Sequence, residues 1–72
     1  MTPLTPRQTE ILDTIKSFIA VNQYAPSVRE LSDALDITIK GVFDHLEALE
    51  RKGYITRNRK IARSIRITEV IR

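Results

Sequence analysis

The sequence has no cysteine and no tryptophan, only one histidine, and only two glycines. Without cysteine there is no disulfide and no thiolate metal site, and a lone histidine cannot complete a zinc site. Gly41 and Gly53 lie too far apart to form a phosphate-binding glycine loop, and no glycine-rich elbow exposes a serine nucleophile. These absences predict a small domain without metal or cofactor that is not an enzyme.

Long apolar runs are also missing. The longest uninterrupted one is Phe18-Ile19-Ala20-Val21, whereas a membrane-spanning helix needs about 20 apolar residues. The N-terminal segment lacks the basic residues of a secretory signal. We therefore expect a soluble, cytoplasmic protein without membrane contact, folded as one domain over residues 1–72.

The net charge of +3 conceals a strong asymmetry. Residues 1–50 carry four bases and eight acids, for a charge of −4, whereas residues 51–72 carry eight bases and one acid, for a charge of +7. A basic end of this kind indicates a polyanionic partner. The alternative is a charged, solvated surface that only keeps a small domain soluble.

Three capping signals predict three helices. Thr5 precedes Pro6 and is followed by Gln8 at the capping-box position, Ser27 and Glu30 form a second capping box, and Thr38 is placed to cap a third helix. The predicted helices cover residues 6–22, 28–35 and 39–52.

Apolar residues at steps of three and four define the expected core. On the third helix, Val42, Leu46 and Leu49 face inward, and we expect Ile39 and Phe43 to point inward at its flank. The other core positions are Ile11, Leu12, Ile15, Phe18 and Ile19 on the first helix and Leu31, Ala34 and Leu35 on the second, with Tyr24 as a lid over the core.

Beyond the third helix the pattern changes to that of a β-hairpin. Gly53 is placed to end the helix in a left-handed conformation. Alternating β-branched residues then predict a hairpin over residues 54–68 with its tip at Arg59-Lys60-Ile61. The fold class is therefore mainly α with a small β-hairpin, a three-helix winged helix-turn-helix, in which the third helix is suited to a DNA major groove.

At about 100° per residue, the outward face of the third helix carries Lys40, Asp44, Glu47, Ala48 and Arg51. DNA binding provides a role for this face. Lys40 can donate to guanine and Asp44 can accept from cytosine. Gly41 permits either close approach to DNA or relief of crowding against the second helix, and Phe43 either packs in the core or touches a thymine methyl group. His45 either packs against another helix or touches a phosphate. The hairpin supplies the expected phosphate contacts, which are Arg57, Arg59, Lys60, Arg63 and Arg66.

Several segments resemble one family closely. The stretches Leu4-Thr5-Pro6-Arg7-Gln8, Ala25-Pro26-Ser27-Val28-Arg29-Glu30-Leu31, Lys52-Gly53-Tyr54-Ile55 and Ala62-Arg63-Ser64-Ile65 are similar in order and spacing to the N-terminal DNA-binding domain of the LexA repressor family. The resemblance implies a winged helix-turn-helix that binds double-stranded DNA at palindromic operators as a homodimer and represses DNA-damage (SOS) genes. It places the recognition contacts on Thr38, Ile39, Lys40, Gly41, Val42, Asp44 and His45, with Arg29 and Arg63 near the DNA backbone.

The sequence departs from the family pattern at three points. The turn after Leu35 is shorter by about one residue, and the recognition helix starts with Ile39-Lys40-Gly41 rather than with serine or asparagine, so we expect a different operator. The sequence as given also lacks an Ala-Gly cleavage site and a Ser-Lys protease and dimerisation domain, so we expect no self-cleavage.

The favoured function is a sequence-specific transcriptional repressor of the LexA type in the bacterial cytosol, associated with the nucleoid. The alternatives are a winged-helix module that binds an acidic protein through its hairpin, and a stand-alone regulator outside the SOS response. RNA is a less attractive partner because no row of aromatic side chains accompanies the basic residues.

Overall fold

Three helices and one antiparallel hairpin follow each other along the chain in the computed structural model, which describes residues 3–68. The helices are α1 (Pro6–Asn22), α2 (Val28–Leu35) and α3 (Ile39–Arg51), and the strands are β1 (Ile55–Thr56) and β2 (Arg66–Ile67). The predicted fold class, a mainly helical winged helix-turn-helix, is confirmed.

The helix starts are those predicted from the capping residues. The backbone N–H of Gln8 donates to Thr5 Oγ1 over 3.2 Å, and the backbone N–H of Thr5 donates to Gln8 Oε1 over 3.1 Å. Ser27 and Glu30 make the same reciprocal pair at 2.9 and 3.1 Å. Both capping boxes satisfy backbone donors that helices leave unpaired at their N-termini.

The turn between α2 and α3 is held by its own hydrogen bonds. Asp36 takes a left-handed conformation with φ of 55°, and the Ile37 N–H donates to the Ser32 carbonyl oxygen. The Ser32 hydroxyl donates to the Ile37 carbonyl oxygen over 2.6 Å. This short turn fixes the direction in which α3 leaves α2.

Helix α3 ends one residue before the predicted end. Gly53 has φ of 84°, and the N–H groups of Gly53 and Tyr54 donate to the carbonyl oxygens of Glu50 and Leu49 at 3.0 Å. This is a Schellman arrangement, which glycine adopts without steric cost. The chain therefore reverses at once into the hairpin.

The core lies where the three helices and the hairpin meet. Its members are nearly all aliphatic, and all are buried: Ile11, Leu12 and Ile15 of α1, Leu31 of α2, Val42, Leu46 and Leu49 of α3, Ala25, Ile55 and Ile65. Full burial of such a side chain contributes about 1.5–3 kcal/mol relative to exposure. Apolar packing therefore orients α3 relative to α1 and α2, with which it forms the helical body of the protein.

Two inward placements on α3 were wrong. Ile39 and Phe43 are 43% and 44% exposed. At about 100° per residue, Phe43 points roughly 90° away from the mean direction of Val42, Leu46 and Leu49, and Ile39 roughly 50° away. Ala48, assigned to the outer face, is instead buried, and Ala34 of α2 is exposed.

The two strands of the hairpin pair over two residues each. Ile55 pairs with Ile67 and Thr56 with Arg66, and the loop between them is closed at its base by one side chain. The Ser64 hydroxyl donates to the Asn58 carbonyl oxygen over 2.7 Å and accepts from the Asn58 N–H over 2.9 Å. We call the hairpin and this loop, residues 54–68, the wing.

Across residues 3–68 no helix has the length and apolar character needed to cross a membrane.

Candidate nucleic-acid interface

The outward face of α3 presents a charged pair to solvent. Lys40 and Asp44 form an ion pair of 3.2 Å one turn apart, and their side chains are 84% and 63% exposed. Such a pair contributes little to stability, because water screens it. The ion pair can therefore open, so that Lys40 and Asp44 each bind a polar group of a ligand.

The N-terminus of α3 differs from the other two helix starts. The Gly41 N–H donates to Thr38 Oγ1 over 3.0 Å, but Gly41 has no side chain to return a bond to the Thr38 N–H. A Cβ on Gly41 would lie 3.2 Å from Thr38 Oγ1 and 3.8 Å from Ile37 Cδ1. The crowding at Gly41 therefore comes from the turn, not from helix α2 as one alternative supposed.

Two further positions taken from the family resemblance lie toward the interior. Val42 is fully buried and cannot reach a ligand. His45 is half-buried on the flank of α3. Among residues 3–68 no group of histidine and acidic side chains could hold a metal ion.

Arg57 is held by the body of the protein. Its Nε lies 3.1 Å from Glu50 Oε1, its side chain is only 7% exposed, and its guanidinium stacks over the Phe43 ring at 5.6 Å. The prediction that Arg57 is a phosphate contact conflicts with this burial. It joins the wing to α3.

Arg59 lies further out on the wing but is also paired. One guanidinium nitrogen lies 3.3 Å from Glu50 Oε1 and 3.7 Å from Glu47 Oε2. Arg59 and Glu47 are both more than half exposed, so the pair is accessible to a competing anion.

Arg63 makes the densest set of contacts in the wing. Two of its nitrogens donate to the two carboxylate oxygens of Glu30 at 2.7 and 3.1 Å, and one also donates to the Ala25 carbonyl oxygen at 3.2 Å. The guanidinium stacks on the Tyr24 ring at 4.9 Å. Tyr24, expected as a core lid, is thus a half-exposed platform for Arg63, with Phe18 against its ring.

The same contacts change the protonation of both partners. The hydrogen bond from Arg63, followed by the one from the Ser27 backbone, lowers the pKa of Glu30 below its ordinary value. The hydrogen bond to Glu30 raises the pKa of Arg63. Glu30 therefore caps α2 and fixes the wing while it stays ionised.

Other basic side chains remain open. Within residues 3–68 no carboxylate forms an ion pair with any of Arg29, Arg51, Lys60 and Arg66, and all four are exposed. Lys52 instead ties α3 to α1, donating to Gln8 Oε1 at 2.7 Å and to the Pro3 carbonyl oxygen at 3.0 Å. The open cations lie on α2, α3 and the wing.

Sequence reasoning missed the acidic partners of the wing. Glu30 was predicted only as a cap, and Glu47 only as part of an outward face. Arg63 lies 33 positions from Glu30 in the chain, so no local pattern announces their contact. The seven-residue step from Glu50 to Arg57 spans the Gly53 reversal and could have been found from that turn.

Comparison with known proteins agrees with this geometry. Residues 1–64 match the family model of the LexA DNA binding domain. The chain is 47% identical over 72 residues to the LexA repressor of Thermotoga maritima, covering all of this chain and 36% of that protein.

LexA repressors of other organisms show similar sequence identity to this chain. The LexA repressor of Thermosipho melanesiensis is 45% identical over 69 residues, covering 96% of this chain and 35% of that protein. That of Anaeromyxobacter dehalogenans strain 2CP-1 is 47% identical over 73 residues, covering 100% and 32%. The chain thus spans about a third of the length of these curated relatives. It belongs to the LexA DNA-binding domain family.

Proposed function

We propose that this chain is the operator-binding part of a LexA-type transcriptional repressor. The observation that carries the proposal is the outward face of α3, where Lys40 and Asp44 are mostly exposed and form an ion pair with each other. A helix oriented by a buried apolar face, with polar side chains on the opposite face, is the element that reads base edges in the major groove.

The open cations suggest how DNA would be held beside that helix. Arg29 at the start of α2 and Lys60 and Arg66 on the wing are exposed, so each can neutralise a phosphate and release a counterion. Arg59 joins them if a phosphate displaces Glu47 and Glu50. These contacts supply affinity, whereas Thr38, Lys40, Gly41 and Asp44 supply position and sequence preference.

Arg57 and Arg63 have a different proposed role. Both are committed to carboxylates of the helical body, so they set the position of the wing rather than contact DNA themselves. His45, half-buried behind the outward face, supports α3 in the same way. This division replaces the uniform basic clamp expected from the sequence.

The name LexA repressor, which the relatives bear, supports a wider proposal. In this proposal the protein acts in the bacterial cytosol at the nucleoid, on palindromic operators of DNA-damage genes, with two copies on each operator. Two-fold sites favour a dimer because, once one of two linked domains is bound, the other is held at a high effective concentration beside the second half-site. The proposed role requires no catalysis by these residues.

Selection of binding sites from random duplexes tests the proposal. We expect an enriched motif with two-fold symmetry, and a changed motif for Lys40→Ala and Asp44→Ala. Asp13→Ala, an exposed acid on α1, is the matched control and should select the original motif. Failure of the wild-type chain to enrich any duplex, even at low salt, would exclude sequence-specific DNA binding.

A further inference from the structure

Two large apolar side chains stand on the flank of α3, between its buried face and the outward face of Lys40 and Asp44 that the proposed function turns toward DNA. Ile39 and Phe43 are 43% and 44% exposed and lie four residues apart, so their Cβ atoms are neighbours on the helix surface. Neither belongs to the core cluster of buried residues. They form an apolar strip beside the Lys40–Asp44 pair.

The surroundings of the strip indicate the chemistry of its partner. The Arg57 guanidinium lies over the Phe43 ring and, because Glu50 holds Arg57, that ring has a fixed neighbour on one side. Phe43 also lines a groove of about 370 Å³ between the start of α2 and the wing, together with Arg29 and Lys60. An apolar strip bordered by open cations suits a polyanion that displays small apolar groups.

Duplex DNA has such a group on only one base edge. In the major groove, adenine, guanine and cytosine present hydrogen-bonding atoms, whereas thymine adds a C5-methyl group. The Cβ atoms of residues i and i+4 are about 6 Å apart, and successive base pairs are about 3.4 Å apart. The two side chains therefore match methyl groups on base pairs one or two steps apart.

We propose that Ile39 and Phe43 are specificity-determining residues that bind thymine methyl groups next to the base pairs read by Lys40 and Asp44. This inference rests on the proposed function, because it requires that α3 lie in the major groove. It adds that the operator half-site contains one or two thymines recognised through their methyl groups.

Replacing thymine by deoxyuridine tests this directly, because only the methyl group is removed. In the selected site, single replacements should weaken wild-type binding about fourfold at one or two positions, the equivalent of one buried methyl group at about 0.8 kcal/mol. At the remaining thymines the replacement should have no effect. Affinity can be measured by fluorescence anisotropy at fixed salt.

The variants Ile39→Ala and Phe43→Ala complete the test. Each should lose the uracil effect at its own position and retain it at the other. Phe43→Leu, which keeps an apolar group beneath Arg57, guards against a secondary shift of the wing and should retain part of the effect. Val21→Ala, an exposed apolar residue at the end of α1, is the matched control and should behave as wild type.

The outcomes separate the two claims. Wild-type binding that tolerates uracil at every thymine would overturn the methyl contacts while leaving DNA binding intact, as would uracil effects that persist unchanged in Ile39→Ala and Phe43→Ala. Absence of binding to any duplex would overturn the proposed function itself.

Discussion

The helical body and the wing are built on different forces. In the body, Leu46, Leu49, Ile15 and other aliphatic side chains are removed from water, so its stability comes mainly from apolar burial and not from ion pairs. The wing has only two paired residues on each strand. Four of its apolar side chains contact the core, Tyr54, Ile55, Ile65 and Ile67, and ion pairs to Glu30 and Glu50 tie it to the helices. A basic residue in the wing can therefore be a structural tie rather than a DNA contact.

The largest expected effect comes from the core of the body. Leu46 is fully buried in α3, so Leu46→Ala should lower the free energy of unfolding by 2–5 kcal/mol through lost burial and a residual cavity. Urea denaturation measures it. Glu47→Ala, next in the chain and exposed, is the control and should change stability by less than about 0.5 kcal/mol. Equal losses would mean that α3 is not anchored as described.

A smaller effect is expected where the wing meets the body. Arg63 has φ of 58°, so Arg63→Asn is the suitable variant, because asparagine tolerates this conformation. It should leave the unfolding midpoint nearly unchanged yet accelerate amide hydrogen exchange at Arg66 and Thr68 several-fold, because the wing loses its tie to Glu30. Operator affinity should fall with it.

Arg63→Lys refines that result. Lysine keeps the charge but not the two parallel hydrogen bonds of the guanidinium. If charge alone held the wing, the wing amides of Arg63→Lys would exchange as slowly as those of wild type, which would contradict a tie made by the two hydrogen bonds from Arg63 to Glu30.

The smallest effect concerns pH. Arg63 lowers the pKa of Glu30 in the folded state. The contribution of Glu30 to the free energy of unfolding is therefore fully present above its unfolded-state pKa and is lost as pH falls through its folded-state pKa. Stability of the wild type should thus decline below about pH 4.5 more steeply than that of Glu30→Gln. The glutamine can still accept the Ser27 N–H, so the cap is retained. Parallel acid limbs in denaturation curves would refute this coupling.

The fold was predictable because its signals are local. Thr5, Ser27 and Thr38 cap the helices three residues ahead of their partners, and Gly53 ends α3 through its own backbone. The buried positions follow the helical period, which is also encoded locally. These features need no knowledge of how distant segments meet.

The site was less predictable because its charges pair across the chain. Basic residues of the wing appear equivalent in the sequence, yet Arg57 is buried against Glu50 while Lys60 is open. Phe43 was misplaced because hydrophobicity alone suggested burial, whereas its angular position on α3 turns it outward. Only the tertiary arrangement distinguishes basic residues that are paired with carboxylates from basic residues that are open to a ligand.

The salt dependence of operator binding tests this distinction most directly. For wild type, the logarithm of the binding constant should fall linearly with the logarithm of salt concentration, and Lys60→Ala and Arg66→Ala should each reduce the slope by up to about one unit. Arg57→Gln and Arg63→Asn also remove a positive charge, but they should weaken binding with little change of slope, because neither arginine neutralises a phosphate. A slope that falls equally in all four variants would contradict the division between open and committed cations.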